Sequence, residues 1–381
     1  MKVCDIVRNS VWHDPRVRKQ VLSYLSVPDC EVEAVGVEDL SFAPEKVAKY
    51  PCSVCLVHVD SKYYGKNRTF LMKLKRELMV NREMARVLVE KGPDVIHAND
   101  LNALIPAYMA ARKLKCRVIY DSHEVFVENA GIVDHKMIRA IWMACEKYLI
   151  KRVDRMVCVS HAAADYFAEL YGIQKPMVVT NCSLKSEQHV SDEKASGFEV
   201  LNHGKYYGGR GYDIMVEALL YLKEYPEIKL AMRGFGSMEK NLRARAKELG
   251  DENIRFYPKV LVQELIPMAS RSHVGVAITE AVCLNFELSV SNKLFEYASA
   301  GLPVIMSDIP EHRYLNEKYG FGIVLPDNKP ETFAQAVIRL YKDKEFYSRC
   351  AENARRLSEE VNWENEFGKL ISWEKQIVME K

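Results

Sequence analysis

The sequence predicts an α/β protein made of two doubly wound halves. Short apolar strand runs alternate with amphipathic helical stretches along nearly the whole chain. Between Lys185 and Gly197 the alternation stops for a polar stretch, KSEQHVSDEKASG, and then restarts. The length, 381 residues, exceeds what one ordinary core holds and fits two domains. A repeated strand–helix rhythm of this kind argues for parallel sheets covered on both faces.

The elements follow in order. Val3–Val7 is a short apolar run, and a helical pattern spans Pro15–Leu25. Val32–Val37 and Ser53–Val59 read as the next strands, and Met72–Lys91 as a helix stopped by Gly92-Pro93. DVIHAND (94–100) is a strand running into a polar loop, LNALIPAYMAARKLK a helix, and CRVIYDSHE another strand and loop. A helix over Lys136–Arg152 and the strand RMVCVS close the first half. Beyond the polar stretch, FEVLNHG, IKLAMRG, IRFYP and VGVAIT read as strands. The intervening helices are GYDIMVEALLYLKEY, SMEKNLRARAKELG and ELIPMASRS. SNKLFEYASAGLPVIMSD is a helix, a glycine turn and a core strand. PETFAQAVIRLYKD and the tail from Ser348 onward are helical. Ligands of such sheets bind where strands end and helix N-termini begin, and two halves place the natural site in the cleft between them.

Composition narrows the classes. The net charge of +2 gives no global attraction to nucleic acid. The ten cysteines are scattered through apolar runs without metal-ligand spacing, so reduced thiols in a cytoplasmic protein are expected and a structural metal is not. No signal-peptide pattern opens the chain, and no apolar run is long enough to span a bilayer.

Two glycine loops carry chemistry. In HGKYYGGRGYD, Gly204, Gly208, Gly209 and Gly211 let the backbone approach a ligand, and Lys205 and Arg210 can both reach an anion. At a helix N-terminus this suits a diphosphate. A solvated surface turn has the same composition, and the spacing is neither a Walker loop nor GxGxxG. RGFGSMEK (233–240) repeats the strand–glycine–helix device around Gly234. Glu296 is a lone acid between apolar neighbours; a carboxylate there can accept from two adjacent hydroxyls, and a helix dipole alone also favours it.

These motifs in this order resemble the retaining glycosyltransferases of family 4 (glycosyl transferases group 1), which have the GT-B fold of two Rossmann-like domains facing across a cleft. The resemblance rests on Gly204, Lys205, Arg210 and Gly211, on RGFG, on IRFYPKVLVQELIPMASRSHVGVAIT and on NKLFEYASAGLPVIMSD. DPRVRKQ, DVIHAND, IYDSHE, KYLIKRVDRMVCVS and NWENEFGKLISWEKQI fall in the expected order in the rest of the chain. It implies an acceptor-binding domain over 1–184, a nucleotide-sugar-binding domain over 198–355, and a C-terminal helix over 356–381 packing back on the first. It further implies that Glu296 binds the nucleotide ribose. Lys205 and Arg210 would stabilise the leaving diphosphate without a metal or other cofactor, and His123 would face the sugar. Gly204, Gly234, Val260, Asn292, Lys293 and Leu294 would complete the donor side. Asp14, Arg16, His97 and Asp100 are the acceptor-side candidates, with Asn99 beside them. One departure stands out: many members carry a second glutamate eight positions before Glu296, where this chain has Leu288, with Glu287 one step off.

The expected reaction is retaining transfer from a UDP- or GDP-sugar to a glycan or lipid-linked acceptor, in cell-surface polysaccharide or glycoconjugate synthesis. The stretch Lys62–Arg86 gathers eight cations among aromatic and aliphatic residues, which suits an anionic membrane surface at the inner face of the cytoplasmic membrane. A solvated helix packing its apolar face has the same pattern. Nucleic acid is not expected as a partner. A nucleotide-sugar epimerase of the same fold and a non-catalytic nucleotide-binding partner of another glycosyltransferase stay open as alternatives.

Overall fold

The computed structural model describes residues 1–11, 14–38, 52–60 and 69–379. The chain divides into two compact units, Met1–Val179 with Phe367–Lys381, and Thr180–Glu366.

The described residues of the first unit hold seven strands: β1 (Lys2–Ile6), β2 (Glu31–Val37), β3 (Ser53–Val57), β4 (Val95–Asn99), β5 (Arg117–Ser122), β6 (Arg155–Cys158) and β7 (Met177–Val178). They form one parallel sheet in the order β3-β2-β1-β4-β5-β6-β7. The order reverses between β1 and β4, and this switch point is where open parallel sheets bind ligands, beyond the carboxyl ends of the strands. Its helices are α1 (Pro15–Leu25), α2 (Phe70–Lys91), α3 (Leu101–Leu114), α4 (Ala130–Val133), α5 (Lys136–Ile150) and α6 (His161–Tyr171). α1 begins on Pro15 with Asp14 as its cap, a pairing that suits the first turn of a helix. α2 ends on Gly92 in the left-handed conformation.

The second unit holds β8 (Phe198–Lys205), β9 (Ile228–Phe235), β10 (Ile254–Tyr257), β11 (Val274–Ala277), β12 (Val304–Ser307) and β13 (Gly322–Leu325). They too are parallel, in the order β10-β9-β8-β11-β12-β13, with the reversal between β8 and β11. Its helices are α7 (Tyr212–Glu217), α8 (Glu239–Leu249), α9 (Val262–Ala269), α10 (Leu284–Leu288), α11 (Asn292–Ser299), α12 (Pro310–Tyr319), α13 (Pro330–Lys342) and α14 (Lys344–Glu360), and α15 (Trp363–Met379) ends the chain. The core between sheet and helices includes Val200, Met215, Leu230, Val276, Ile305, Phe333 and Val337, all inaccessible to solvent.

Several elements depart from the sequence-based expectation. The helix expected over 211–225 is α-helical only to Glu217 and then tightens into a 3-10 turn, Ala218–Tyr221. The helical tail breaks at Asn362, whose side chain accepts from the Asn365 amide at 3.0 Å and caps α15. The polar stretch 185–197 lies against the second unit. The Lys194 ammonium donates to the carbonyls of Ser270 (2.6 Å) and Ser272 (3.1 Å), and the His189 amide donates to Ser299 (3.0 Å).

Gly275 in β11 explains how Tyr297 fits. A Cβ there would lie 2.2 Å from the Tyr297 ring, and that ring is wholly buried. Gly275→Ala is therefore expected to destabilise the protein by about 1–3 kcal/mol through overpacking, read as a lower urea midpoint with unchanged slope.

Candidate active site

At the end of β8, Asn202 and His203 face the start of α11. The Lys293 ammonium donates to Asn202 Oδ1 at 2.6 Å, and Asn202 Nδ2 donates to the Arg210 carbonyl at 3.1 Å. Asn202 thus ties the glycine loop to α11. Loss of solvation around the Lys293 ammonium, with Arg210 adding to it and Glu296 opposing, lowers its pKa to about 7. The Arg210 guanidinium lies 4.4 Å from the Phe286 ring centroid, and its Nε donates to the Tyr207 hydroxyl at 2.9 Å. Among the described residues no carboxylate pairs with Arg210. Lys205 is exposed.

The loops need glycine at two points. Gly211 has φ 71°, and a Cβ would sit 2.5 Å from the Ile278 Cβ. Gly234 has φ 151°, and a Cβ would sit 1.8 Å from the Gly204 carbonyl oxygen. Here the ends of β8 and β9 approach too closely for any side chain.

Glu296 lies beside a residue that sequence reasoning did not assign. His203 Nε2 is 2.7 Å from Glu296 Oε2. His203 is almost wholly buried and Glu296 about one quarter exposed, with side-chain accessibilities of 2% and 26%. The Tyr297 hydroxyl accepts from the His203 amide at 3.0 Å and the two rings are 4.5 Å apart. Leu294 is buried and Asn292 exposed at the first turn of α11, and Val260 sits in the loop after β10. Glu287 is exposed on α10. Glu280, also unassigned from sequence, has a buried Oε1 without a hydrogen-bond partner next to the glycine loop, where its amide donates to Gly209 at 3.0 Å.

The first unit gathers its candidates at the switch point. Arg16 donates to both Asp121 oxygens at 2.7 and 2.8 Å and to the Val179 carbonyl at 3.1 Å. His97 bridges Asp121 (3.1 Å) and Glu374 of α15 (3.0 Å), and the Tyr24 hydroxyl donates to Glu374 at 2.6 Å. Arg16 and His97 are buried, with 3% and 0% exposure, so neither side chain meets solvent. Asp14 serves the cap of α1, accepting from the amides of Arg16 (3.1 Å) and Val17 (3.2 Å). His123 and Asp100 reach the surface, with 14% and 24% side-chain accessibility. Asp100 Oδ1 accepts from the His123 amide at 2.9 Å, and Asp100 itself has φ 67°, a strained backbone of the kind found at functional sites.

Burial sets the charges. Desolvation works against charge on His97, but its hydrogen bonds to Asp121 and Glu374 prevail and raise its pKa to about 10. Asp121 is desolvated too, yet Arg16 and His123 hold it well below the usual carboxylate range. Burial lifts Asp5 to about 7.

Of the basic stretch Lys62–Arg86, residues 62–68 lie outside the described residues. From Leu71 onward it is α2, where Leu71, Leu74 and Leu78 are exposed beside exposed Lys73, Lys75, Arg82 and Arg86. No described helix is long and apolar enough to cross a membrane. The described residues contain no cluster of three potential metal ligands, and all ten cysteines are free.

Two family models match consecutive parts of the chain: Glycosyltransferase Family 4 over residues 26–183, and Glycosyl transferases group 1 over residues 185–357. An uncharacterized glycosyltransferase of Haemophilus influenzae is 20% identical over 312 residues, covering 80% of this chain and 84% of the relative. The D-rhamnosyltransferase WbpZ of Pseudomonas aeruginosa is 26% identical over 245 residues, covering 60% of this chain and 61% of the relative. Among solved structures, Anabaena Alr3699/HepE in complex with UDP superposes with a TM-score of 0.75 at 14% identity, covering 99% of this chain and 100% of that one. The two sheets and these matches define a glycosyltransferase of the GT-B fold.

His97 gives a pH test. A histidine whose pKa rises on folding contributes stability that is fully present below its unfolded value and lost as pH climbs through the folded one. The gap in urea midpoint between the parent and His97→Gln should therefore be widest below pH 6.5 and shrink as pH rises toward about 10. A gap that stays constant over that window would mean His97 is not charged in the folded protein.

Proposed function

We propose that the chain is a retaining glycosyltransferase that moves a sugar from a UDP- or GDP-sugar to a glycan or lipid-linked acceptor, in cell-surface polysaccharide or glycoconjugate synthesis. One observation carries the reading. Beyond the end of β8, Asn202 joins the Lys293 ammonium (2.6 Å) to the Arg210 backbone (3.1 Å), gathering both cations at the glycine loop beside the Glu296–His203 pair. Two cations held this way favour a dense anion, and a diphosphate would relieve the cost of both.

In this reading Lys205, Arg210 and Lys293 take the diphosphate, with Gly204 and Gly234 admitting it to the backbone. Asn292 and Leu294 set the first turn of α11 against it, and Val260 lies along the base. Glu296 accepts from the ribose hydroxyls, and His203 orients it. As the anomeric bond breaks, negative charge grows on the phosphates, and fixed cations stabilise that charge more than they stabilise bound donor. The leaving phosphate oxygen takes the acceptor's proton, so no carboxylate pair and no metal are called for. The acceptor belongs to the first unit, where His123 and Asp100 reach the surface; Arg16, His97 and Asp14 shape that surface from beneath. The exposed leucines and cations of α2 suit contact with an anionic membrane on the cytoplasmic side.

Arg210→Ala should lower kcat by roughly 100- to 1000-fold with little change in thermal stability. Turnover of the parent should persist in excess chelator. An Arg210→Ala enzyme that folds and turns over normally would refute the phosphate assignment, and loss of parent activity restored by magnesium or manganese would refute the metal-free mechanism.

The ribose contact is tested by titrating the parent and Glu296→Ala with UDP, GDP and their 2′-deoxy forms. The parent should bind the better ribonucleotide on the order of tenfold more tightly than its deoxy form, and that preference should vanish in Glu296→Ala. If the two penalties simply add, the carboxylate is not on the ribose.

A further inference from the structure

The ring of His123 can hold its proton on either nitrogen, and its neighbours decide which. Nε2 lies 2.9 Å from Asn99 Oδ1. Nδ1 lies 3.8 Å from Asp100 Oδ2, beyond hydrogen-bond reach. Asp121 Oδ2 is 3.6 Å from Nε2, again too far to bond. Asn99 is therefore the one hydrogen-bonding partner that the described residues give this ring. Burial disfavours charge on His123, but Asp100 and Asp121 beside it prevail and raise its pKa. The cation, with a proton on both nitrogens, is therefore the low-pH form, and the tautomer concerns the neutral ring at higher pH.

Everything then depends on which end of the Asn99 amide faces His123. Its nitrogen donates to the Asp5 carboxylate and to the Ile6 carbonyl, the latter at 3.1 Å. The Ile6 carbonyl can only accept, and Asp5, whose pKa burial lifts to about 7, only accepts once ionised, as it is at the higher pH where His123 is neutral. Turning the amide over would set its oxygen against a carboxylate and a carbonyl in a fully buried place, where Asn99 and Asp5 have no access to water. The amide oxygen is thus locked toward His123, and a locked acceptor requires a donor.

The geometry points to Asn99 as a positioning residue: through the Asp5–Asn99 bond it fixes the proton of neutral His123 on Nε2, and it leaves Nδ1 as the acceptor offered to a sugar hydroxyl. The hydroxyl donates to Nδ1 and no proton transfer is involved. Were the tautomer reversed, Nδ1 would present a hydrogen and a hydroxyl could meet it only with its oxygen. The identity of the hydrogen-bonding partner therefore follows from a side chain that touches no substrate. This inference rests on the reading of His123 as a residue that meets the sugar, but the tautomer can be read without any turnover.

The test is ¹⁵N NMR of the histidine rings in the full chain, at a pH high enough for His123 to be neutral, with its signal assigned by comparison with His123→Gln. The parent should show Nε2 protonated and Nδ1 bare. Asn99→Ala should lose that preference and show Nδ1–H or a mixture, while kcat/KM falls by up to about 100-fold and nucleotide affinity, set by the second unit, stays at the parent level. A parent ring protonated on Nδ1 overturns the inference outright, whatever the fate of the variant. So does an Asn99→Ala protein that keeps the Nε2 proton. If the tautomers behave as stated but His123→Ala turns over normally, it is the placement of His123 at the sugar that fails, and Asn99 then positions a ring the reaction does not use.

Discussion

The first unit depends on one buried carboxylate. Asp121 sits at the end of β5 with no solvent exposure. An ionised carboxylate in that position is costly unless several donors converge on it. Arg16 reaches it from α1 with a two-pronged contact, and His97 reaches it from β4. The register makes this possible: Asn99 pairs with Asp121 across β4 and β5, and Asp5 pairs with His97 across β1 and β4. Three neighbouring strands thus end in polar residues around one acid. His97 then passes the constraint to Glu374, so the last helix is held in this unit by a charge as well as by the packing of Phe367 on Tyr24, whose ring centroids are 5.1 Å apart. Removing any one of these partners strands another, which is why such a cluster is either complete or costly.

The second unit answers the same problem differently. Its polar residues also stand toward the end of the central strand, where Asn202 and His203 precede Gly204 and Lys205, the last residues of β8. Here the charges are not cancelled in place. Arg210 has no carboxylate partner among the described residues, and Lys293 donates to the neutral Asn202 oxygen at 2.6 Å and lies over the Tyr212 ring at 5.1 Å. The first unit pairs its interior charges directly, whereas the second holds Arg210 and Lys293 without a carboxylate in direct contact, beside a sterically constrained glycine loop. In the proposed reading, that difference would suit the second unit to the more strongly anionic ligand.

Much of this architecture was legible in the sequence, and the limits have physical causes. Strand runs such as Val32–Val37 and IKLAMRG stood out because strands buried on both faces are continuous apolar segments. Arg210, Glu296 and the glycines stood out in the sequence because their motifs are contiguous. His203 and Asn202 were quoted within a motif but given no role, since their partners lie 93 and 91 residues further along. The Tyr24–Glu374 bond spans 350 residues, and no spacing rule predicts it. Helix α12 did carry a local signal, a proline at its first turn followed by Glu311, and the reading passed over it. Arg16 and His97 were acceptor-side candidates from the resemblance; the fold instead buries both against the Asp121 carboxylate, a contact that no spacing rule shows.

The carboxylate at Glu296 shows what the fold adds to a motif. A helix dipole acts chiefly within the first turn, and α11 begins at Asn292, so Glu296 falls in the second turn, where the dipole gives little. The helix does not explain the acid. Nor does packing, since Leu294, Phe295, Tyr297 and Ala298 already fill the buried face. What the structure shows instead is a histidine built to hold it. His203 Nδ1 is buried with no hydrogen-bond partner, so the ring directs its bonding through Nε2 to the acid. Keeping a buried nitrogen unsatisfied costs about 1–3 kcal/mol, a cost that the Glu296 contact must offset. The buried histidine and the partly exposed acid are thus held as a pair, with side-chain accessibilities of 2% and 26%. In the function proposed above, a ligand with paired hydroxyls supplies a reason for this pair, because an aligned carboxylate accepts both hydroxyls without reorganising.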